Sequence, residues 1–307
     1  MTAVVERAVE TVWRAGRPVD VHGTMRPFLR GRSDRAHRLL DGVFWRCALT
    51  PAGPVTLALR QAARDEVHAT AWGPGAEWTI ASVPDLLGAR DSKHDFVPRH
   101  RVLSDMHRRH PGVWIPRSGL VMDALVPACL EQRVASGTAH QAWTFLLQRY
   151  GSAPPGPAPA GMRVPPSPAV LLAVPTWDWH RAGVDISRQR AIRAACSVAH
   201  RLEECVDLTP ADALARLRVV PGVGIWTAAE TAQRALGDAD AVSVGDLHIP
   251  HLVGFALIGR RVDDDGMLKL LEEWPGHRHR VVRLVEMAGL GAPRYGPRFA
   301  PQDYRDF

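Results

Sequence analysis

"VVPGVGIWTAAETAQRAL", residues 219–236, places a Pro-Gly-Val-Gly turn between two helical patterns. The first helix is expected to end near residue 220, and the second begins at Ile225. Gly222 and Gly224 carry no Cβ atom, so the backbone can adopt positive φ there and approach another backbone closely. The second helix directs unpaired N–H groups and its positive dipole end at the same point, which suits a phosphate group. A helix corner that uses glycine only for tight packing has the same spacing, so both interpretations stay open.

An aspartate follows this unit at a short distance. In "GDLHIP", residues 245–250, Asp246 stands directly before the next helical pattern. A carboxylate in this place can simply cap the N-terminus of the next helix. It can also be a reactive group at a fixed distance from a phosphate-binding turn. Both hypotheses stand at this point, and the second makes Asp246 a candidate catalytic residue.

The composition limits the class of protein. The 307 residues suffice for two or three domains. Lys and Arg number 38 against 32 Asp and Glu, and the sequence pI of about 9.7 favours an anionic partner such as nucleic acid. The sequence contains no stretch of about 18 apolar residues and no signal peptide, so we expect a cytoplasmic protein without a membrane partner. The four cysteines form no C-x-x-C pair, which argues against a zinc site or a disulfide framework.

The order of the patterns predicts an α+β fold. Three segments in the first 90 residues are typical of β-strands: "PVDVHGTM", "GVFWRCALTPAGPVTLALR" with a turn at residues 51–54, and "EVHATAWGPG". Apolar residues at helical spacing follow from Ala76 onward. Residues 151–168 are rich in Pro, Gly and Ala, and we expect a long loop inside the helical region there rather than a domain linker.

Residues 217–246, "LRVVPGVGIWTAAETAQRALGDADAVSVGD", resemble the helix-hairpin-helix plus Gly/Pro/Asp signature of base-excision DNA glycosylases. More narrowly, the chain is similar to 3-methyladenine DNA glycosylase II, and "FWRCALTPAGPVTLAL" and "LEQRVASGTAHQAWTFLLQRYG" extend the resemblance over about residues 42–290. The resemblance implies an N-terminal antiparallel β-sheet domain, followed by a mostly α-helical helix-hairpin-helix core of two subdomains. The implied boundaries are residues 1–90 for the sheet domain, 91–117 plus 238–290 for the subdomain with the aspartate, 118–237 for the subdomain with the hairpin, and 291–307 for an irregular tail.

The same resemblance implies a monofunctional DNA glycosylase that initiates base excision repair of alkylation damage. Such an enzyme flips the damaged nucleotide out of double-stranded DNA into a pocket between two helical subdomains. An alkylated purine of the 3-methyladenine or 7-methylguanine type is already cationic, and Asp246 would stabilise the positive charge that develops on the sugar. We expect a monomer associated with the nucleoid. The alternatives are a non-catalytic or structural DNA-binding protein on the same fold and a glycosylase for deaminated or bulky adducts.

Other site residues of the family can be placed on this sequence. Arg133 matches the wedge that fills the gap left by the flipped base, although that wedge is apolar in the best-known members, and a solvated or structural Arg is the alternative. Trp226 either lines the base pocket or packs in a core, and Glu230 either contacts the base or pairs with a nearby Arg. The DNA-binding set is Val219, Pro221, Gly222, Val223, Gly224, Thr227 and Arg133. The base-pocket set is Trp226, Glu230, His277 and His248.

Residues that the sequence lacks at the family's positions exclude some of the family's reactions and cofactors from our expectation. Bifunctional members carry a lysine just after the hairpin that attacks the sugar, and Ile225 and Trp226 occupy that place here, so we expect no AP lyase activity. Related branches hold an iron–sulfur cluster with four cysteines near the C-terminus, whereas no cysteine follows Cys205, so no cluster is expected. His248 and His251 are too few for a metal site, and contact with DNA or a surface position fits them better. The family's hairpin carbonyls often hold a monovalent cation, and no other cofactor is implied.

Overall fold

The computed structural model describes residues 7–290, and the tail predicted at residues 291–307 lies outside the described part of the chain. A five-stranded antiparallel sheet forms the N-terminal part, in the spatial order β1-β5-β4-β3-β2. Fourteen α-helices account for most of the other described residues. The predicted α+β fold class is therefore confirmed. The strands are β1 (Ala8–Arg14), β2 (His37–Leu40), β3 (Val43–Thr50), β4 (Gly53–Ala63) and β5 (Glu66–Trp72).

One face of the sheet packs on two helices, α1 (Val21–Met25) and α2 (Ala76–Leu86). The helix α1 shows that the strand predicted at "PVDVHGTM" is wrong. The side chain of Asp20 accepts a backbone N–H from within α1, and Val21 and Met25, four residues apart, are both buried against the sheet. In so short a segment, the alternation of apolar residues does not distinguish a strand from one capped helical turn.

The Pro-rich segment is irregular, as predicted, from Gly151 until the helix that begins at Pro168. Ser152 and Val164 form an isolated β-bridge. Met162 and Val164 are fully buried and pack with a cysteine of β3 on the second face of the sheet. The segment therefore covers part of the sheet, and it joins two helices of the helical region.

The helices form two bodies, each with its own apolar core. The first core draws almost entirely on residues between 121 and 235, and the second joins residues 96–106 to residues 242–285. Asp185 caps its helix as predicted, by accepting two backbone N–H groups. No helix within residues 7–290 is long and apolar enough to cross a membrane. The remaining helices are α3 (Arg101–Arg109), α4 (Val121–Leu130), α5 (Ser136–Tyr150), α6 (Pro168–Ala173), α7 (Thr176–Arg181), α8 (Ile186–Ser197), α9 (Ala199–Glu203), α10 (Pro210–Arg218), α11 (Ile225–Ala235), α12 (Ile249–Ile258), α13 (Asp264–Leu271) and α14 (Arg278–Ala288).

Helix α11 links the hairpin to the rest of the molecule. Its alanines favour the helix and keep its buried side narrow, so that it packs closely on α4 and α10. Ala229 and Ala232 form a small apolar cluster with Ala241, in the segment that leads to the second body. The domain boundaries drawn from the sequence stay predictions.

Candidate active site cleft

A cleft of about 1760 Å³ lies between the two helical bodies. Five stretches of chain line it, together with Pro27 and Pro116. They are the loop between α4 and α5, the start of α8, the turn before α11 together with α11, the segment that leads into α12, and α14. The cleft therefore brings the Pro-Gly-Val-Gly turn and Asp246 into one site.

The two glycines of the turn have different roles. Gly222 adopts φ +87°, and a Cβ atom there would lie 2.7 Å from the Cβ of Ala191. Gly224 has an extended backbone, and a Cβ atom there would meet no atom within 4 Å. Gly224 also precedes α11 without a side-chain cap, so the first N–H groups of α11 remain available to a ligand. The fold requires Gly222, whereas Gly224 leaves an open surface at the helix N-terminus.

The other predicted DNA-binding residues of the hairpin divide into exposed and buried ones. Val219 is 80% exposed, and Pro221 is exposed as well. Val223 is buried in the first core, where it holds the turn in place. Thr227 is 2% exposed, and its hydroxyl accepts a hydrogen bond from Gln132. The side chains of Val223 and Thr227 therefore point into the protein, and only their backbones can serve the predicted contact with DNA.

Arg133 is exposed on the rim of the cleft, in the loop between α4 and α5. Its φ of +54° is unusual for a residue with a side chain and costs about 1 kcal/mol or more. Gln132 ties this loop to the hairpin, because its amide donates to the carbonyl of Gly222 at 2.9 Å and to the hydroxyl of Thr227 at 2.8 Å. The loop thus holds Arg133 beside the turn in a strained conformation of the kind that clusters at functional sites.

Asp246 has both carboxylate oxygens engaged. Its Oδ1 accepts the backbone N–H groups of His248, the N-cap of α12, at 2.7 Å and of Ile249 at 3.0 Å, so the carboxylate binds the N-terminus of α12 from two residues before the cap. Its Oδ2 accepts the indole N–H of Trp226 at 3.0 Å. Trp226 is half-buried and lines the cleft. Asp246 therefore both binds the N-terminus of a helix and faces the cleft, and the two hypotheses drawn from the sequence are compatible.

The backbone around Asp246 is held by the second body. The N–H of Gly245 lies 3.1 Å from each carboxylate oxygen of Asp264, at the start of α13. His248 is exposed on the rim, whereas Nδ1 of His251 lies 2.8 Å from the carbonyl of Val262. Within residues 7–290, no group of three or more His, Cys, Asp or Glu side chains is arranged to hold a metal ion. The two histidines thus have separate surroundings, one at the surface and one in helix packing.

Side chains of α11 beyond Trp226 form the floor of the cleft. Glu230 is 8% exposed, and its Oε2 accepts a hydrogen bond from Nη1 of Arg234 at 2.7 Å. Its Oε1 accepts the hydroxyl of Ser243 at 2.5 Å. Gln233 donates to the same hydroxyl at 2.9 Å. Of the two hypotheses for Glu230, pairing with a nearby Arg is realised, and the pair also faces the cleft.

Arg234 also belongs to the floor of the cleft, and the sequence analysis does not name it. Its Nε donates to the carbonyl of Pro27 at 3.0 Å, and its Nη1 also donates to the carbonyl of Glu230 at 2.9 Å. Burial opposes its charge, but the carboxylates of Glu230 and Glu131 outweigh burial, so the pKa of Arg234 is raised. The spacing of four residues from Glu230 to Arg234 is the signal that could have found the pair. Ser243 has no comparable signal.

His277 lies elsewhere than predicted, since it is not among the residues that line the cleft. Its Nε2 lies 3.1 Å from a carboxylate oxygen of Asp95, and its ring packs edge-on against Phe96. It precedes α14 and stands outside the helix face that reaches the cleft. That face carries His279, Val282, Arg283 and Glu286, at helical spacing.

His279 is a second residue of the cleft that no pattern in the sequence singles out. It is buried in the wall of the cleft. Burial, reinforced by the positive charges of Arg283 and Arg234, lowers its pKa well below the usual value. The imidazole is therefore neutral at neutral pH and adds no charge to the cleft.

The charged side chains around the cleft balance one another, because five arginines and five carboxylates line it. Several of them are paired, including Arg283 with Glu286 and Arg188 with Asp185. None of the described residues that line the cleft is a lysine. The arginines are Arg133, Arg188, Arg218, Arg234 and Arg283, and the carboxylates are Glu131, Asp185, Glu230, Asp246 and Glu286.

Comparison with known proteins identifies the fold. No protein-family model and no curated protein matches the sequence. A solved 3-methyladenine DNA-glycosylase from Archaeoglobus fulgidus superposes with a TM-score of 0.75 at 17% identity, over 91% of this chain and 98% of the other. An 8-oxoguanine glycosylase/lyase from Clostridium acetobutylicum gives 0.70 at 11% identity, over 92% and 96%. A 3-methyladenine DNA glycosylase from Schizosaccharomyces pombe, in complex with abasic DNA, gives 0.51 at 15% identity, over 62% and 93%. These superpositions establish a fold shared with DNA glycosylases, and at identities this low they establish the fold alone.

Proposed function

We propose that this protein is a monofunctional DNA glycosylase that removes alkylated purines from double-stranded DNA by hydrolysing the N-glycosidic bond. The proposal rests on the position of Asp246 in the cleft. Its carboxylate accepts a hydrogen bond from the indole of Trp226 and lies in the same cleft as the Pro-Gly-Val-Gly turn. The likeness in fold to proteins named as 3-methyladenine DNA glycosylases supports the choice of reaction.

Asp246 would act on charge that appears only in the transition state. As the glycosidic bond breaks, the sugar becomes positive, and a nearby carboxylate stabilises it. Three donors hold the Asp246 carboxylate in one orientation, so it needs little reorganisation when the charge develops. A base that is already cationic needs no proton from the enzyme, and one carboxylate is then sufficient. This match favours alkylated purines of the 7-methylguanine and 3-methyladenine type.

The reaction would stop at base release. The chain contains two lysines, Lys93 and Lys269. Lys93 lies over the ring of Trp114, and Lys269 belongs to α13, so neither lines the cleft. Without a lysine beside Asp246, the protein has no side-chain amine to form a Schiff base with the sugar.

The hairpin would hold the DNA backbone. Gly224 and the open N-terminus of α11 offer main-chain donors, which bind phosphate without reading sequence. Arg133, on the rim beside the turn, would fill the space of the flipped base with its planar guanidinium. A monovalent cation at the turn carbonyls, a monomeric state and association with the nucleoid belong to the same proposal.

The carboxylate of Glu230 does not select a cationic base by its charge. Because Arg234 neutralises Glu230, the floor offers a cationic base no net attraction. A preference for alkylated purines would come instead from the weak glycosidic bond of the lesion.

Release of base from duplexes that each carry one lesion tests the proposal. The protein should release 7-methylguanine and 3-methyladenine and leave an abasic strand that breaks only in alkali. Borohydride added during turnover should trap no protein–DNA adduct. Binding without any base release would identify the non-catalytic alternative, and release of hypoxanthine or bulky adducts alone would overturn the choice of alkylated purines.

A further inference from the structure

The floor of the cleft places a hydrogen-bond donor next to an acceptor. Arg234 is anchored through Nε and Nη1, and its Nη2 makes no hydrogen bond with any residue between 7 and 290. Each carboxylate oxygen of Glu230 accepts one side-chain hydrogen bond, from Ser243 or from Arg234, and so keeps acceptor capacity. Both residues line the cleft, and because Nη1 and Nη2 share one carbon atom, the bond from Nη1 at 2.7 Å keeps Nη2 close to the carboxylate of Glu230.

The donor and the acceptor are held in place by their neighbours. Pro27 fixes the guanidinium of Arg234, and Ser243, itself bonded to Gln233, fixes the carboxylate of Glu230. Groups that are already ordered lose little conformational entropy when they bind a ligand. The charges of the pair cancel, and burial keeps His279 neutral by lowering its pKa, so recognition here depends on hydrogen-bond geometry.

We propose that the Glu230–Arg234 pair recognises a base with a lactam edge, in which a ring carbonyl stands next to a ring N–H. Nη2 of Arg234 donates to the carbonyl, and the ring N–H donates to the carboxylate of Glu230. Hypoxanthine and 7-methylguanine have this edge, whereas adenine and 3-methyladenine have an amino group beside a ring nitrogen without hydrogen. The inference rests on the proposed glycosylase function and names the class of base within it.

Undamaged guanine has the same lactam edge. The pair therefore ranks the bases that enter the cleft, and the strength of the glycosidic bond decides which of them are released. A site built around such a hydrogen-bond pair discriminates strongly against an analogue that leaves its buried polar groups unpaired.

Binding to uncleavable duplexes tests the inference. Each duplex carries a 2′-fluoroarabino nucleotide opposite a tetrahydrofuran abasic site, so that cleavage and base pairing are removed from the comparison. Hypoxanthine and adenine form the matched pair, because both are neutral and nearly equal in size. The wild-type protein should bind the hypoxanthine duplex at least about tenfold more tightly than the adenine duplex. Duplexes with 7-methylguanine and 3-deaza-3-methyladenine should show the same order.

Arg234→Lys probes the donor without removing the charge. Lysine keeps an ion pair with Glu230 but lacks the second guanidinium nitrogen, so the preference for hypoxanthine should fall to about threefold or less. Arg283→Lys is the matched control, because Arg283 lines the same cleft, has a side chain 15% exposed against 16% for Arg234, and pairs with Glu286. That variant should leave the preference unchanged.

Equal affinity of the wild-type protein for the hypoxanthine and adenine duplexes would overturn the inference, and so would an unchanged preference in Arg234→Lys. The wild-type comparison stands even if a variant fails to fold. Base release from cleavable duplexes without a lactam preference would defeat this inference alone. A lactam preference without any base release would defeat the glycosylase function alone.

Discussion

The start of α11 and the second half of α11 expose different kinds of atoms to the cleft. At the start, Gly224 and Ile225 are exposed, and the groups on offer are backbone N–H donors. About one and a half to two and a half turns further, Glu230 and Arg234 are largely enclosed, and they offer side-chain groups that have partners from distant segments. The first arrangement suits any phosphate group, and the second can distinguish one base from another.

Because of this difference, we expect the two regions to respond to different kinds of substitution. The start of α11 should be sensitive to an added Cβ atom and insensitive to most other changes. The second half of α11 should be sensitive to the loss of a single hydrogen-bonding group. Asp246 and Trp226 lie between the two regions, so changes there should alter the chemistry and leave both the grip on DNA and the choice of base intact.

The largest expected effect is that of Asp246→Asn on base release. Asparagine keeps the size of the side chain but removes the negative charge that would stabilise the sugar in the proposed reaction, which should cost at least about 3 kcal/mol of transition-state stabilisation. Single-turnover release of 7-methylguanine measures the rate, and a gel-shift assay measures binding to the same duplex. Binding should stay within about threefold of wild type. A variant that releases base at a near wild-type rate would show that another group carries the chemistry.

The two turn glycines should separate fold stability from DNA binding. Gly222→Ala places a Cβ atom at φ +87° and against Ala191, and it should lower the free energy of unfolding by about 2 kcal/mol. Gly224→Ala meets open space, so its stability should stay within about 0.5 kcal/mol of wild type. Its affinity for damaged and undamaged duplexes should fall together, by about tenfold, and the salt dependence should show the phosphate contacts. Loss of lesion preference with full affinity for undamaged DNA would contradict a backbone grip at this turn.

The start of α11 was predictable because its features are local in sequence. The turn, the helix that follows and the aspartate lie within 30 residues, and each has a residue type that its backbone or chemistry requires. Glu230 was also placed correctly on the helix, and the choice between its two roles needed only the Arg four residues on. Strand and turn patterns predict the α+β fold class in the same way, although they do not distinguish the capped helical turn at residues 21–25 from a strand.

The other residues of the cleft floor could not be predicted from the sequence, because the groups that bond to α11 belong to distant segments of the chain. Ser243 and the carbonyl of Pro27 contact α11 only because the folded chain packs them there, and no sequence spacing indicates these contacts. His277 does not reach the cleft, because the rotation of α14 turns His279 toward it instead. A helix face is set by contacts with its neighbours, so a displacement of one or two residues in an alignment changes which side chain enters a site.

Trp226→Phe tests the residues that lie between the start of α11 and the Glu230–Arg234 pair. Phenylalanine keeps an aromatic ring in the cleft but cannot donate the hydrogen bond that holds Oδ2 of Asp246. The rate of base release should fall about tenfold, since one hydrogen bond to a charged group is lost, while binding to lesion duplexes stays unchanged. Trp45→Phe is the matched control, because Trp45 stacks on Trp72 on the sheet and is remote from the cleft. A fall in binding equal to the fall in rate would assign Trp226 to base stacking and not to the position of the carboxylate.

The smallest expected effect concerns pH and the buried imidazole beside the floor. The pKa of His279 in the folded protein is far below 6.5, because burial and three arginines oppose its charge, whereas in the unfolded chain it has an ordinary value of about 6.5. As the pH falls below about 6.5, the unfolded chain takes up the proton first, so the free energy of unfolding falls with it. Between pH 8 and pH 6 this one group should lower stability by about 0.8 kcal/mol. His279→Gln should remove that loss, measured as the difference in urea unfolding between variant and wild type at the two pH values. His248→Gln, at an exposed position on the rim, should follow the wild type. An identical pH dependence in His279→Gln and wild type would mean that the imidazole is charged or solvated in the folded protein, and the floor of the cleft would then carry a net positive charge.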